Sequence, residues 1–558
     1  MAVNVHQLSY KYPYGSHPAV DQVDFEIRRG ETVLLTGRSG SGKSTVGCIL
    51  SGVIPLLYKG GELSGEASDP EGGKVQAGMV TQIPENQLFG YKVEDAIVFG
   101  MENLGLGKDE MDRRLDRVLD LLRIGHLRGR PVGSLSGGQK QIVCIASVLA
   151  MEPKLLIMDE PVSSLDPAGK TLVCEVLRKL KDAGQTVLII DQNLDWCIDA
   201  IDRVLGMEKG RIVFDGGLEQ LLRDEAMIQR LGVAVPQTVE LYHALRRERG
   251  IPFFASLDNA ERVLREYCPA VQVQSADTVQ GAPENEPAVC IEGLVKEYDG
   301  FRALDGVDAA FVPGRITAVL GQNGSGKTTL VRHLIGLVRP TSGTIRYMGN
   351  VISEQSTAEL ARSIAYVFQH PDQMIFEDKV LDELTFSART MGKPWAIEQA
   401  EELLQTYGIL EHKDAFPNTL PMGIKHMLTI LSVLLTDPDV IILDEPTLGM
   451  DSELKMKLTA LMKRLAGEGK TVIVISHEMP FVAETADDVL VMKNGQVLTR
   501  GTTVEVFREE DVLRKAMIEL PQITQLARRL GFEGVLTIGR LLDCLSASQI
   551  TKSEGVPS

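Results

Sequence analysis

Residues 37–45 read GRSGSGKST, and residues 321–329 read GQNGSGKTT. Both stretches satisfy the pattern G-x-x-x-x-G-K-[ST], and each follows an apolar run that predicts a strand and precedes a helical pattern. In that context the glycines let backbone N–H groups close around phosphate groups at the positive end of a helix. The two stretches therefore predict two phosphate-binding loops (P-loops), each at the start of a helix in an α/β domain.

The rest of the chain repeats at nearly the same interval. KLLIMDEP (154–161) is matched by VIILDEP (440–446), and each such pair lies about 285 residues apart. A constant offset over most of the chain indicates a duplicated domain. Apolar runs that end at glycine or acidic residues predict buried parallel strands, and RVLGMEKGRIVFDG (203–216) predicts a later β-hairpin with a Lys-Gly turn.

The repeat extends beyond these motifs, because VPQTVEL (235–241) recurs as LPQITQL (520–526). Each domain is therefore predicted to carry a C-terminal extension. The segment PAVQVQSADTVQGAPENEP lacks periodicity and predicts a linker. The predicted boundaries are 1–228 for the first domain, 229–268 for its extension, 269–287 for the linker, 288–510 for the second domain and 511–558 for its extension.

The composition excludes several classes of protein. The chain has 558 residues, with 44% hydrophobic and 24% charged residues, as is typical of globular proteins with several domains. Its formal net charge of −18 argues against nucleic acid as a partner, because a broad acidic surface repels phosphates. We find neither a secretory signal pattern at the N-terminus nor an apolar run long enough to cross a bilayer, and so expect any membrane role to depend on partner proteins.

The P-loop pattern assigns chemistry to individual side chains. Lys43 and Lys327 are predicted to reach the β- and γ-phosphates of ATP. Ser44 and Thr328 follow them directly, and their hydroxyl groups are suited to binding Mg²⁺.

Each of the two apolar strands that lead into DEP is followed by the acidic pair of that motif. Asp159 and Asp444 are predicted to hold the metal ion through water. Glu160 and Glu445 are predicted to lie next to the γ-phosphate and to polarise the attacking water. Exposed carboxylates at a strand end are the alternative, which is weakened because both strands end in the same way.

With these motifs in place, the sequence resembles the ATP-binding cassette (ABC) ATPases over nearly its whole length. LSGGQKQ (135–141), which precedes the DEP strand, resembles the signature of that family. The resemblance implies the α/β P-loop NTPase fold of ABC ATPase domains, each with a helical subdomain. It also implies roles for adenine-stacking aromatics (Tyr12, Tyr298), metal- and phosphate-sensing glutamines (Gln82, Gln369), interface aspartates (Asp166, Asp451) and a γ-phosphate-contacting histidine (His477).

Taken together, motif and resemblance yield three sets of site residues. The predicted catalytic residues are Glu445, His477, Gln369 and Glu160. The predicted metal-binding residues are Ser44, Thr328, Gln82, Gln369, Asp159 and Asp444. The residues predicted to contact ATP are Gly37, Arg38, Ser39, Gly40, Ser41, Gly42, Lys43, Ser44, Thr45, Gly321, Gln322, Asn323, Gly324, Ser325, Gly326, Lys327, Thr328, Thr329, Tyr12, Tyr298, Gln82, Ser136, Gly137, Gly138, Gln139 and Gln192.

A narrower resemblance follows the two glutamines. QIPENQLF (82–89) and QHPDQMIF (369–376) look like the corresponding segments in the ATPases of energy-coupling factor (ECF) importers. In that group the segment helps to form a groove for a helix of an integral membrane coupling subunit, and a separate subunit captures the substrate. The resemblance implies ATP and Mg²⁺ as cofactors, these two membrane partners, and a peripheral location at the cytoplasmic face of the cell membrane. Met374 departs from the usual glutamine, and a plain polar loop is the alternative.

The two ATP sites implied by this resemblance are unequal. ABC domains pair head to tail, so that the P-loop of one domain faces the signature of the other. The second P-loop faces the intact LSGGQKQ and has His477. The first P-loop has Gln192 at the histidine position and faces LPMGIKH (420–426), in which Pro421, Met422 and Ile424 replace serine, glycine and glutamine.

We therefore predict one hydrolytic site and one degenerate site that binds ATP without rapid turnover. Drift without consequence is the alternative, because Glu160 is retained. Two further functions stay open: the fused ATPase of another importer class, such as the sugar type, and a soluble tandem-cassette translation factor. The lack of predicted spans argues against a full exporter.

Overall fold

The computed structural model describes residues 2–13, 17–57, 59–70, 72–163, 165–267, 286–393 and 395–553, without the side chains of 248–249, 395–397 and 547–553. It divides into two units, Met1–Pro236 and Gln237–Ser558. All but the last two residues of the predicted linker 269–287 lie outside the described residues. None of the helices in the described ranges has the length and apolar character needed to cross a membrane.

The first unit contains nine strands and eight α-helices within its described residues. The strands are β1 (Val3–Lys11), β2 (Val20–Ile27), β3 (Thr32–Thr36), β4 (Glu62–Ser68), β5 (Ala77–Val80), β6 (Leu155–Asp159), β7 (Val187–Ile190), β8 (Arg203–Glu208) and β9 (Arg211–Gly216). The helices are α1 (Lys43–Leu50), α2 (Val53–Leu56), α3 (Val93–Asn103), α4 (Lys108–Leu122), α5 (Gly137–Leu149), α6 (Pro167–Asp182), α7 (Leu218–Arg223) and α8 (Glu225–Leu231).

The central sheet of the first unit has six strands in the order β5-β6-β7-β3-β8-β9. All neighbours are parallel except β8 and β9, which form the predicted hairpin. Lys209 and Gly210 both have positive φ, as the tight hairpin turn requires. Strands β3, β6 and β7 are apolar and buried because helices cover both faces of such a sheet. The predicted strands are confirmed.

Two further layers complete the first unit. Strands β2, β1 and β4 form a separate antiparallel sheet. Helices α3, α4 and α5 lie between β5 and β6 in the chain and form the predicted helical subdomain. Because the carboxyl ends of the parallel strands meet at one edge, the segments after β3, β6 and β7 lie together there.

The second unit repeats this architecture. Its strands are β10 (Val289–Tyr298), β11 (Phe301–Phe311), β12 (Ile316–Leu320), β13 (Ser342–Tyr347), β14 (Asn350–Val351), β15 (Ile364–Val367), β16 (Val440–Asp444), β17 (Thr471–Ile475), β18 (Asp488–Lys493) and β19 (Gln496–Thr502). The six-stranded sheet has the order β15-β16-β17-β12-β18-β19, which matches the first unit strand for strand, and β11-β10-β13-β14 form the smaller sheet.

The α-helices of the second unit include four that belong to the C-terminal extensions. In chain order they are α9 (Gln237–Arg249), α10 (Leu257–Tyr267), α11 (Lys327–Leu334), α12 (Thr357–Leu360), α13 (Val380–Thr390), α14 (Trp395–Tyr407), α15 (Met422–Leu434), α16 (Ser452–Gly467), α17 (Met479–Thr485), α18 (Thr503–Arg508), α19 (Glu510–Lys515), α20 (Gln522–Arg529) and α21 (Ile538–Ser553). Helices α13, α14 and α15 correspond to α3, α4 and α5.

Helices α9 and α10 follow the first cassette in sequence but pack in the second unit. Leu241, Val263, Leu526 and Leu541 belong to one buried apolar cluster shared by α9, α10, α20 and α21. The unit boundary lies after Pro236, whereas the predicted boundaries at 228/229 and 510/511 fall inside α8 and α19. Neither helix has an internal glycine or proline that would mark a break in the sequence.

Candidate nucleotide-binding sites

The P-loop of the first unit connects β3 to α1 in a conformation that only glycine adopts easily. Gly37 and Gly42 have φ values of 149° and 101°. A Cβ atom on either residue would overlap a backbone carbonyl oxygen, that of Met207 or Ala19. Lys43 is buried, and its Nζ donates hydrogen bonds to the carbonyl oxygens of residues 37 and 38 at 2.7 and 2.9 Å.

The P-loop of the second unit has the same geometry. Gly321 and Gly326 have φ values of 150° and 105°. Lys327 Nζ donates to the carbonyl oxygens of Gly321 and Gln322 at 2.6 and 2.8 Å. Since α1 and α11 both begin at the lysine, each loop directs backbone N–H groups and a helix N-terminus towards one point. Both loops are therefore built to hold phosphate.

Acidic side chains lie at the end of β6 in the first unit. Ser44 Oγ donates to Asp159 Oδ1 at 3.2 Å, and Gln82 Nε2 donates to Glu160 Oε2 at 2.8 Å. Glu160 has a φ of 44°, and its N–H donates to the carbonyl oxygen of Ile190 at 2.8 Å, which fixes its backbone beside β7. Four predicted residues from three segments of the chain thus meet at one sheet edge.

Burial raises the pKa values of these carboxyl groups. The pKa of Asp159 rises to about 6 and that of Glu160 to about 7, because desolvation disfavours the charged forms. The neighbouring carboxylate of Asp191 contributes in the same direction to both. The carboxyl groups of Asp159 and Glu160, with the hydroxyl group of Ser44 beside Asp159, form an environment that suits a divalent cation.

Asp191 is a residue of this site that the sequence did not reveal. It is buried after β7, where its carboxylate accepts hydrogen bonds from Trp196 Nε1 at 2.8 Å and from the N–H of Asn193 at 2.9 Å. The second unit has Ser476 at the corresponding position. This difference between the two repeats is the only sequence feature that could have pointed to Asp191. The following residue, Gln192, has its carbonyl oxygen held by the N–H of Ala234 at 2.9 Å.

The second unit has a different arrangement around its glutamate. His477 Nδ1 lies 2.7 Å from Glu445 Oε1, and the N–H of Glu445 donates to Ile475 O at 2.9 Å. Tyr366 donates its hydroxyl hydrogen to Asp444 Oδ2 at 2.8 Å. Burial raises the pKa of Asp444. The sequence predicted the proximity of Glu445 and His477 but not the role of Tyr366, whose counterpart in the first unit is Met79.

The remaining predicted residues lie in less enclosed positions. Thr328 is the second residue of α11, directly after the P-loop lysine. Tyr12 is half-buried, and its hydroxyl lies 3.2 Å from Thr45 Oγ1 in the P-loop. Tyr298 is exposed, with Lys296 Nζ 4.8 Å from its ring centroid. Exposed or half-buried aromatic faces are available for stacking on a planar base.

The aspartates that follow each DEP segment cap helices. Asp166 accepts a hydrogen bond from the N–H of Gly169 at 2.8 Å at the start of α6. Asp451 accepts one from the N–H of Leu454 at 2.9 Å at the start of α16. The place of both aspartates at an interface between the cassettes stays a prediction.

The two segments that resemble signatures begin equivalent helices in unequal ways. Ser136 caps α5 and forms a reciprocal pair with Gln139, whose N–H donates to Ser136 Oγ at 3.3 Å and whose Oε1 accepts from the Ser136 N–H at 3.2 Å. Pro421 occupies the same position before α15 and makes no side-chain cap. Helix α15 still forms, but its N-terminus lacks the hydroxyl group and the N–H that serine supplies at the start of α5.

A buried histidine ends the second of these segments. The side chain of His426 is fully buried, with Nε2 2.9 Å from the carbonyl oxygen of Gln369 and Nδ1 3.0 Å from that of Leu448. Burial lowers the pKa of His426, although both carbonyl groups oppose this effect. Gln141 is the counterpart in the first unit; it is also buried, and its Nε2 has no hydrogen-bond partner among the described residues. The sequence did not single out either residue.

Comparisons with known proteins agree with this geometry. A family model for the ABC transporter domain matches residues 20–163 and 304–448. A Methanosarcina acetivorans protein, provisionally named an ABC transporter ATP-binding protein, is 36% identical over 579 residues that cover 98% of this chain and 94% of that protein. A Bacillus subtilis protein, provisionally named the HMP/thiamine import ATP-binding protein YkoD, is 33% identical over 533 residues that cover 93% and 95%.

Among solved structures, cbiO1 of Clostridium perfringens, described as part of the ABC transporter complex cbiONQ, is 35% identical and covers 44% of this chain and 100% of its own, with a TM-score of 0.38. The family model matches once in each unit, and the relatives align over nearly the whole chain. The chain therefore belongs to the ATP-binding proteins of ABC transporters, and it is an ATPase coupled to transport that carries two fused cassettes.

Proposed function

We propose that the chain is the energy-coupling ATPase of an ECF-type importer for a vitamin, a metal ion or a related small molecule. It would act at the cytoplasmic face of the cell membrane with an integral coupling subunit and a substrate-capture subunit. ATP binding would close the two cassettes, and hydrolysis would reopen them. The provisional name of the Bacillus subtilis relative, an HMP/thiamine import protein, supports an importer of this kind.

The observation that carries this proposal is a pair of exposed aromatic residues at the same place in both units. Each segment after the glutamine forms a short 3₁₀ helix, Pro84–Asn86 or Pro371–Gln373, and then an exposed phenylalanine. Phe89 is 53% exposed and Phe376 is 71% exposed. Each lies beside a second phenylalanine on α3 or α13, with ring centroids 5.0 and 5.7 Å apart. Exposed aromatic clusters of this kind are typical of protein-binding surfaces.

The two candidate grooves differ at one supporting residue. In the first unit, Gln87 Oε1 accepts from the N–H of Thr81 at 3.0 Å, and Gln87 Nε2 donates to Met79 O at 2.6 Å. Met374 in the second unit replaces these contacts with one, from the N–H of Phe368 to its sulfur at 3.3 Å. A sulfur acceptor is weak and cannot donate. The turn in segment 369–376 is therefore held by fewer hydrogen bonds than the turn in segment 82–89. This difference would suit the two segments to two different membrane helices.

We further propose that the two ATP sites differ in rate. The site with Lys327, Glu445 and His477 would hydrolyse ATP, closed by the signature that begins with Ser136. The site with Lys43 and Glu160 would bind ATP and support closure. The support is that Glu445 has a histidine partner while Glu160 has a glutamine, and that Pro421 cannot cap its helix.

Mg²⁺ fits the residues of both sites. Ser44 and Asp159 in the first unit, and Thr328 and Asp444 in the second, would hold it through oxygen atoms, which are its preferred ligands. No group of three or more His, Cys, Asp or Glu side chains in the described ranges could hold a metal ion alone. Gln82 and Gln369 would each add a side-chain oxygen, and phosphate and water would supply the remaining ligands.

The first test of the proposal is recovery of the protein with membranes. We expect the chain to co-purify with an integral subunit, and Glu85→Lys with Asp372→Lys to release it while ATP binding persists. Both carboxylates are about half exposed, but they also pair with lysines of α5 and α15, Lys140 at 2.8 Å and Lys425 at 2.7 Å. The lysine side chains are only 21% and 12% exposed, so each reversal places a second positive charge beside a largely buried one. The melting temperature of the variant must therefore be measured beside its release.

A charge-exchange control separates the two roles of these carboxylates. Adding Lys140→Glu and Lys425→Glu restores both internal pairs with reversed polarity. Continued release in the exchanged protein would indicate that the carboxylates face the membrane subunit. Quantitative recovery of the unaltered chain in the soluble fraction of a strain that expresses the whole transporter, or its sedimentation with ribosomes, would contradict the proposal.

Closure of the cassettes gives an independent test. We expect labels at Asp112→Cys on α4 and Glu402→Cys on α14 to move closer when ATP is added in a Glu445→Gln background, where hydrolysis is blocked. Electron-electron distance measurements would report the change. The matched control adds Lys327→Ala, which removes the main phosphate contact and should abolish the shortening. An unchanged distance at saturating ATP would count against an intramolecular ATP sandwich.

A further inference from the structure

The altered segment 420–426 keeps close contact with the rest of its own cassette. Lys425 Nζ binds Asp372 Oδ1 at 2.7 Å, and His426 contacts the carbonyl oxygens of Gln369 and Leu448. A Cβ atom on Gly423 would overlap the carbonyl oxygen of Gly449. The start of α15 is therefore attached both to the segment that carries the sensing glutamine and to the segment that leads to Asp451.

The first unit has only part of this network. Lys140 pairs with Glu85 at 2.8 Å, as Lys425 pairs with Asp372. The residue directly after Lys140 is Gln141, whose buried amide nitrogen has no partner among the described residues. Its counterpart His426 has a carbonyl oxygen near each ring nitrogen, and the nitrogen that carries the proton donates to one of them. Because a buried polar group without a partner is costly, this hydrogen bond marks a specific contact of the second unit.

We infer that His426 is a positioning residue for ATP hydrolysis: in the tautomer that carries the proton on Nε2, it donates to the carbonyl oxygen of Gln369 and so fixes the backbone of that predicted phosphate-sensing glutamine. The inference rests on the proposed function, in which the site with Lys327 and Glu445 is the hydrolytic one. It explains why a segment that has lost its serine, one glycine and its glutamine still folds as a tightly attached helix. In this inference the last residue of the segment, His426, supports the site of its own cassette.

Side-chain geometry permits a test of which ring nitrogen matters. The amide nitrogen of a glutamine lies near the position of histidine Nε2, and that of an asparagine lies near Nδ1. His426→Gln should therefore keep the contact with Gln369, and His426→Asn should keep only the contact with Leu448. His426→Leu removes both. Glutamine is already present at the equivalent position of the first unit, as Gln141, so His426→Gln is expected to fold.

We expect His426→Gln to retain kcat within about twofold, and His426→Asn and His426→Leu to lower kcat roughly tenfold, because small displacements of a catalytic group cost large factors in rate. KM for ATP should change less than about twofold in all three, since the P-loop and Tyr298 are untouched. Gln141→Leu, the matched substitution in the first unit, should lower kcat less than His426→Leu. The measurement is steady-state ATPase of the full chain together with the melting temperature.

Other results would overturn the inference. If His426→Asn keeps activity and His426→Gln loses it, the contact with Leu448 carries the effect and Gln369 is not positioned in this way. If all three variants lose activity in proportion to a lowered melting temperature, the residue serves packing alone. Glu445→Gln measured in parallel separates the two proposals. If Glu445→Gln loses most ATPase activity while His426→Leu stays active, only the positioning role is refuted. If Glu445→Gln stays fully active, the assignment of the hydrolytic site is refuted.

Discussion

Glu445→Gln should lower steady-state ATP hydrolysis by on the order of a hundredfold or more, and Glu160→Gln should lower it only a few-fold. A hundredfold loss corresponds to about 2.7 kcal/mol of transition-state stabilisation. The two substitutions are chemically identical and are made at equivalent positions of the two repeats. Any difference between them therefore reports the surroundings of each glutamate.

The expected difference follows from the partners of the two carboxylates. Glu445 Oε1 lies 2.7 Å from His477 Nδ1, which orients the carboxylate and can complete the contact with the γ-phosphate. Glu160 accepts instead from Gln82 Nε2 at 2.8 Å, and Asp191 lies close enough to help raise its pKa to about 7. Burial and the nearby Asp191 both disfavour the ionised form of Glu160, whereas Glu445 has a histidine beside it.

Lys43→Ala tests the other half of the assignment. It removes the phosphate contact of the first P-loop, whereas Glu160→Gln leaves that contact intact. We expect Lys43→Ala to impair turnover more than Glu160→Gln, because bound ATP in the first site would support closure. Steady-state ATPase in the assembled transporter, with nucleotide occupancy measured in parallel, decides the matter. Equal collapse of the Glu160→Gln and Glu445→Gln variants would mean that both sites turn over.

Much of the fold follows from local sequence. The strands that end at Thr36, Asp159 and Ile190 are apolar runs with clear stops, and the repeat in the second unit supports each one. The P-loops and the DEP carboxylates follow from motifs whose chemistry demands particular residues at fixed spacing, whereas His477 follows only from the resemblance to ABC ATPases. Their meeting at one sheet edge then follows from parallel topology.

Residues whose role depends on long-range contacts could not be predicted. His426 contacts segments 57 and 22 residues away in the chain, and no local pattern indicates either one. Asp191 lies beside Glu160 only because β6 and β7 are neighbours. The packing of α9 and α10 with α20 and α21 joins segments on either side of the second cassette. Amphipathic helices reveal an apolar face but not the partner that covers it.

Exchange of the signature residues should have the second large effect. Ser136→Pro copies the first altered residue of the second segment into the first. We expect it to lower ATPase activity on the order of a hundredfold, since in the proposed head-to-tail pairing it removes both a hydroxyl and an N–H from the hydrolytic site. Loss of a helix cap alone costs about 1 kcal/mol of stability. That cost is too small to unfold a domain of this size, so a large loss of activity in a folded variant would be catalytic. Ser136→Ala, which removes only the hydroxyl, should have an intermediate effect.

The reverse exchange, Pro421→Ser with Met422→Gly, should change the rate only a few-fold. It restores the serine and the glycine at the N-terminus of α15. It leaves Gln192 where the proposed hydrolytic site has a histidine, and it leaves Asp191 near Glu160. A site needs all of its transition-state contacts together, so one repaired contact gives little gain. Adding Ile424→Gln, Gln192→His, Asp191→Ser and Met79→Tyr to the exchange gives the first site the counterparts of the residues described for the second, and Glu160→Gln in that background should now lower turnover strongly. If the repaired site still tolerates Glu160→Gln, the difference between the two sites lies outside the exchanged residues.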